Sequence, residues 1–227
     1  MDQKFRDELN NKMSSNLTKA RSARILSSLQ AYYGDVKPDL WYRNIYELAI
    51  AVVLSAQTTD RQVNGASEIL FRKYPDFSSL ARAKVHEVEK IIKSTGFYRA
   101  KAKNIILLSR MVCTRFGGVV PDEMDRLLEL PGVGRKSANV ILSVGYNKPG
   151  LAVDTHVSRI AKRLGYSYGK NPAEVEKDLC NIIVPEMWKT THLLFIRHGR
   201  SICTARKPLC DSCPVSGQCN YFLNSEA

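Results

Sequence analysis

Apolar residues recur at helical spacing along most of the chain, and this period restricts the fold more than any other feature. Ile45, Leu48, Ala49, Val52 and Val53 form one stripe, Val85, Val88, Ile91 and Ile92 a second, and Ile105, Leu108, Met111 and Val112 a third. The spacing returns at Val157, Ile160, Ala161 and Leu164, then at Val175, Leu179, Ile182 and Ile183. No comparable set of alternating runs is present, so no sheet is expected. Gly34 with Pro38, Pro75, Gly96 at the end of a helix from about His86, Gly117 with Gly118 and Pro121, Pro131 with Gly132, Gly145–Gly150 and Gly165–Pro172 punctuate the stripes. The reading is an all-α chain of roughly ten short helices, with no repeat at solenoid spacing.

At 227 residues with 44% hydrophobic positions, the chain can bury a core without covalent staples, so its six cysteines need a separate explanation. Lys and Arg number 34 against 22 Asp and Glu, and the formal charge of +12 favours an anionic partner. No apolar run approaches the roughly 18–20 residues of a spanning helix. Met1–Gln30 is polar and helical in pattern, without the apolar centre of a signal peptide. A soluble intracellular protein is expected.

The segment from about Leu48 to Leu54 is apolar on most faces and is expected at the centre of its domain. Gln57 and Asp60 emerge at its end, as caps or as site residues.

LPGVGRKSAN, Leu130–Asn139, carries an anion-binding pattern. Pro131 stiffens the turn, Gly132 and Gly134 allow positive φ or close backbone approach, and a helix expected from Ser137 turns free amides outward. Such amides can hold a phosphate without reading bases, and Arg135 adds charge. An ordinary interhelical turn is the competing reading. The spacing is neither a dinucleotide fingerprint nor a P-loop.

Lys136 follows this turn directly. An amine acting as nucleophile must be neutral at attack, and a helix start, which repels positive charge, suits that need. Most lysines in so basic a chain are nevertheless surface groups. Asp154, in AVDTHVSR, stands where a helix N-cap is expected; a carboxylate there can also stabilise positive charge developing on a sugar ring.

Cys203, Cys210, Cys213 and Cys219 follow a C-x6-C-x2-C-x5-C pattern. Four thiolates at this spacing suit a metal, either an iron–sulfur cluster or tetrahedral zinc. Arg206 and Lys207 lie inside the first loop, where ligation would present two cations to phosphate. Cys113 and Cys180 stand apart on apolar helical faces and read as buried thiols.

Together, LPGVGRKSAN, AVDTHVSR, HGRSICTARKPLCDSCPVSGQC, SAQTTD (Ser55–Asp60) and TGFYRAKAKNI (Thr95–Ile105) resemble the endonuclease III family, bifunctional DNA glycosylase/AP lyases of the helix-hairpin-helix superfamily. The resemblance runs from about Tyr46 to Cys219. It implies Lys136 as catalytic lysine, Asp154 as its aspartate partner, Leu130 to Arg135 (Leu130, Pro131, Gly132, Val133, Gly134, Arg135) as the phosphate-binding hairpin, and the four cysteines as [4Fe-4S] ligands. It further implies Gln57 as the side chain entering the space left by a flipped nucleotide. Phe97 stands at the intercalating position, where the best-known bacterial members carry leucine. Glu129 lies one place nearer the turn than the glutamate of those members and receives no role. The implied fold is a six-helix barrel over 38–149 and a cluster domain from 1–37 and 150–227, with DNA across the groove between them. The implied partner is duplex DNA with damaged pyrimidines or abasic sites, bound by a monomer in a prokaryotic-type cytoplasm at the nucleoid. The short N-terminus lacks the long tail of nuclear homologues. A monofunctional mismatch glycosylase and a non-catalytic DNA-binding module are the alternatives; the lysine at 136 favours lyase chemistry over the former.

Overall fold

The computed structural model describes residues 19–224. Among these residues there is no strand. The helices in chain order are α1 over 19–33, α2 Ile45–Leu54, α3 Asp60–Lys73, α4 Phe77–Ala81, α5 Val85–Ile91, α6 Tyr98–Arg115, α7 Met124–Leu128, α8 Arg135–Val140, α9 Thr155–Leu164, α10 Pro172–Ile182, α11 Trp188–Ser201 and α12 Asn220–Leu223. A π-helical segment, Ile141–Gly145, prolongs α8. The expectation for Met1–Gln30 holds from residue 19 onward, and its first part lies outside the described residues.

The described residues divide into two compact units, Pro38–Gly150 and a second joining residues 19–37 with 151–224. Within the first, α2 is central: every residue from Tyr46 to Leu54 is buried. The Asn44 side chain caps it by accepting the Glu47 amide. Glu47, only 3% exposed, is tolerated because Arg43 donates to its carboxylate through the backbone N at 2.7 Å, Nε at 2.9 Å and Nη2 at 2.6 Å. Tyr46 packs edge-on against Phe71 and Phe77, at centroid distances of 5.5 and 4.7 Å, and its hydroxyl donates to the Tyr74 carbonyl. Helices α3, α6 and α8 pack on α2, while α4 and α5 pack on α6. Gly145 permits the close return of the π segment, since a Cβ there would meet Ile45 Cδ1 at 2.5 Å.

The second unit has its own core, including Leu29 of α1, Ile160 of α9 and Leu194 and Phe195 of α11. Arg21 of α1 binds the two ends of the chain together, donating to the carbonyls of Leu164 at 2.5 Å and Gln218 at 2.7 Å. Gly165, at φ 86°, ends α9 in the left-handed conformation that glycine adopts without strain.

Three expectations need correction. The helix after the glycine turn starts at Arg135, two residues before Ser137, because Gly134 already supplies the extended N-cap backbone. The helix before Gly96 ends at Ile91, and a 3-10 turn, Lys93–Thr95, covers the gap. Cys113 and Cys180 are half-buried, on the margins of their cores.

Candidate functional site

The segment LPGV is a tight turn: the Val133 amide donates to the Leu130 carbonyl at 3.0 Å, with Pro131 second and Gly132, at φ 82°, third. Proline before a positive-φ glycine is the type II pattern. Leu130 and Val133 are buried and anchor it, leaving the polar backbone outside. The two glycines differ in kind. A Cβ on Gly132 would lie 3.0 Å from Val53 Cγ1 and 3.1 Å from Asn104 Cβ, so the fold itself requires glycine. Gly134 has φ −97° and nothing within 4 Å of a Cβ, so the fold does not. As N-cap of α8 it offers no side-chain acceptor to the first turn of that helix. Arg135 and Lys136 occupy this first turn, both exposed.

Gln57 and Phe97 belong to the same unit and share a backbone property. Gln57 has φ 52° and Phe97 φ 46°, and among the described residues only Asn147 also combines a side chain with positive φ. Such conformations persist where the surroundings over-determine them. Phe97, 70% exposed, is an apolar ring held in solvent. Thr58 beside Gln57 donates to the Thr95 carbonyl, and Lys101 of α6 donates to both Thr58 Oγ1 and that carbonyl. Asp60 is the first residue of α3, whose cap is Thr59.

Asp154 belongs to the other unit and caps α9, its Oδ1 accepting the Val157 amide at 2.8 Å. It is half-buried.

The four cysteines line one cavity together with Arg163 and His198, and no disulfide joins them. Among the described residues no group of three or more His, Cys, Asp and Glu is arranged to hold a single metal ion, which would need thiolates about 2.3 Å from one centre. Four sulfurs around a cavity suit a polynuclear cluster, and Arg163 and His198 flank them. Arg163 Nη1 donates to Cys203 Sγ at 3.2 Å, and His198 Nε2 lies 3.6 Å from Cys213 Sγ. His198 is 2% exposed, and burial, with Arg159 nearby, pushes its pKa down to about 4. Tyr33 Oη lies 3.0 Å from its Nδ1 and 2.9 Å from Ser201 Oγ.

Sequence reasoning missed the residues that support this loop. Arg163 also donates to the carbonyls of Thr204 at 2.7 Å and Ala205 at 2.9 Å, and its guanidinium stacks 4.7 Å from the Tyr221 ring. Arg159 donates to the carbonyls of Gly199 at 2.8 Å and Cys203 at 3.1 Å. Arg206 and Lys207 are exposed on the braced loop. The signal was an i, i+4 arginine pair on α9, indistinguishable in sequence from a solvated face.

The HhH-GPD superfamily of base excision DNA repair proteins matches residues 50–185, and the iron-sulfur binding domain of endonuclease III matches 203–219. The chain is 42% identical to endonuclease III of Synechocystis over 88% of its own length and 92% of that protein, and 45% identical to that of Bacillus subtilis over 82% and 87%. A solved trapped endonuclease III–DNA covalent intermediate is 42% identical, with TM-score 0.86, covering 92% of this chain and 99% of that one. A thermostable thymine-DNA glycosylase, 24% identical with TM-score 0.79, shares the fold. The chain belongs to the endonuclease III family of bifunctional DNA glycosylase/AP lyases and carries that family's [4Fe-4S]-binding loop. No helix among the described residues is long and apolar enough to cross a membrane.

Proposed function

We propose that the chain excises oxidised or ring-saturated pyrimidines from duplex DNA and cuts the strand 3′ to the resulting abasic site, with Lys136 as nucleophile. The observation that carries the assignment is Lys136 in the first turn of α8, solvent-facing, directly behind a glycine turn whose outer face offers backbone amides.

The damaged nucleotide must leave the stack before an amine can reach its C1′. Phe97 and Gln57 fill the vacated space, offsetting the cost of unstacking, and lesions that stack poorly are favoured by their lower cost. The Lys136 amine, neutral at attack, forms a bond to C1′ as the bond from C1′ to the base breaks; the base leaves with the electron pair and takes a proton. Asp154 stabilises the positive charge that develops on the sugar. Ring opening yields a protonated Schiff base between Lys136 Nζ and C1′. This acidifies C2′; loss of a C2′ proton expels the 3′ phosphate by β-elimination, and hydrolysis frees the lysine.

Cys203, Cys210, Cys213 and Cys219 would hold the cluster, and ligation there would fix the loop that carries Arg206 and Lys207 toward phosphates. The protein acts as a monomer in the cytoplasm, where chromosomal DNA is its substrate.

Borohydride reduction during turnover traps the Schiff base as a covalent enzyme–DNA adduct. Lys136→Ala should abolish the adduct while keeping duplex affinity; an undiminished adduct would reject the assignment. Base release without strand cleavage by the unaltered protein would instead indicate a monofunctional glycosylase.

A further inference from the structure

Lys101 is 5% exposed and lies in the first turn of α6, behind the two side chains assigned to the DNA stack. Its Nζ donates to Thr58 Oγ1 at 2.6 Å and to the Thr95 carbonyl at 2.7 Å. Thr58 follows Gln57, and Thr95 precedes Phe97 by two residues. Thr58 Oγ1 also donates to the Thr95 carbonyl, so one amine, one hydroxyl and one carbonyl close a triangle joining the segments before α3 and before α6.

The triangle joins the two places where the backbone needs holding. Gln57 and Phe97 both carry positive φ, and Phe97 has no side-chain cap and little burial to fix it. Turn hydrogen bonds, Thr95 N and Oγ1 to the Ile92 carbonyl at 2.9 and 2.8 Å and Lys101 N to the Phe97 carbonyl at 3.1 Å, fix the Phe97 side locally. None of them crosses to the Gln57 side, whereas Lys101 and Thr58 do.

Both acceptors of Lys101 are uncharged. Burial lowers its proton affinity, but a neutral amine retains two N–H donors, enough for both acceptors.

We infer that Lys101 is a positioning residue, clamping the Gln57 segment to the Phe97 turn so that the two side chains enter a duplex as one wedge. This rests on the reading of Gln57 and Phe97 as the residues that replace the flipped nucleotide.

The test uses the holoenzyme with Lys101→Met, Thr58→Val, Phe97→Ala and the Phe97→Ala/Lys101→Met double variant, in single-turnover reactions on two substrates. One is a duplex containing thymine glycol, from which the base must be extruded; the other is a single-stranded oligonucleotide with an abasic site, which needs no wedge. Lys101→Met and Thr58→Val should each slow duplex excision by about tenfold, leave single-strand cleavage within about twofold, and add nothing to the defect of Phe97→Ala. Duplex excision at the unaltered rate, equal losses on both substrates, or multiplicative effects in the double variant would each overturn the clamp. If Phe97→Ala is itself defective while Lys101→Met is not, the clamp alone fails; if Phe97→Ala excises normally, the wedge reading fails and takes the clamp with it. Should Lys101→Met lose its helical circular dichroism, Thr58→Val, which keeps the shape of the side chain, decides.

Discussion

The two glycines of the hairpin can be separated by experiment because they are present for different reasons. Gly132→Ala places a Cβ at φ 82°, a left-handed conformation that costs about 1–2 kcal/mol. It also forces Val53 and Asn104 back by a few tenths of an ångström from contacts of 3.0–3.1 Å. A loss of about 2 kcal/mol follows from these terms together. Gly134→Ala meets neither obstacle: φ is −97° and the space is open. The entropy gained by replacing glycine and the preference for glycine over alanine at an N-cap oppose one another, each under about 1 kcal/mol, so stability should hardly move. The new methyl would stand where a phosphate oxygen must approach the α8 amides. Denaturant unfolding and DNA titrations over a range of salt are the assays. Gly134→Ala should unfold like the parent, bind duplex DNA more weakly, and show a slope of log affinity against log salt shallower by about 0.9 for each phosphate the protein ceases to neutralise. Unchanged affinity and slope in a normally stable Gly134→Ala would refute the phosphate-seating role of the turn.

Asp154→Asn keeps an Oδ1 acceptor for the Val157 amide, so stability should be nearly unchanged while turnover falls by about 10²–10³, whereas Asp154→Ala should also cost about 1 kcal/mol in stability; normal turnover in the Asn variant would leave only a cap. The Asp76 carboxyl is held below the usual carboxylate range by the Ser79 amide and hydroxyl, so its contribution is present above the unfolded carboxylate pKa and is lost as pH falls through the lower folded value. Asp76→Ala should therefore cost about 1 kcal/mol at neutral pH and almost nothing in strong acid, read by unfolding at each pH. Arg206→Gln with Lys207→Gln should flatten the salt slope by up to about 1.8 without changing cleavage of saturating DNA. The purified protein should be straw-brown with broad visible absorbance, and removing the iron should lower duplex affinity through the Arg206–Lys207 loop; a colourless folded protein with stoichiometric zinc would contradict the cluster.

What was legible in the sequence was local. The stripe through α2, the LPGVG turn and the cysteine spacing each lie within about twenty consecutive residues, where helical period and turn chemistry act directly. Lys101 shows where that stops. It stands in YRAKAKNI among other cations, and only the docking of the Ser55–Thr59 loop against the Thr95 turn selects it for burial. The positive φ of Gln57 and Phe97 was equally hidden, since neither is a residue type that announces that conformation. Gly132 and Gly134 look alike in sequence, and only the proximity of Val53 and Asn104 tells them apart.

The basic residues divide by what they face. Arg21, Lys101, Arg159 and Arg163 are wholly or partly buried and donate to backbone carbonyls: Leu164 and Gln218, Thr95, Gly199 and Cys203, and Thr204 and Ala205 respectively. A carbonyl acceptor does not neutralise a guanidinium, so the three arginines serve the fold and still contribute to the positive field. Lys136 is exposed in the first turn of α8, and Arg206 and Lys207 are exposed in the loop between Cys203 and Cys210. With 34 basic against 22 acidic residues, pairing every cation with a carboxylate of its own is arithmetically impossible. Bracing by carbonyls is therefore what allows so positive a chain to fold around ordered arginines without neutralising the charge that draws it to DNA. The same logic explains why net charge alone cannot locate the site: carbonyl-braced and exposed cations count equally in the sum, and only their acceptors distinguish them.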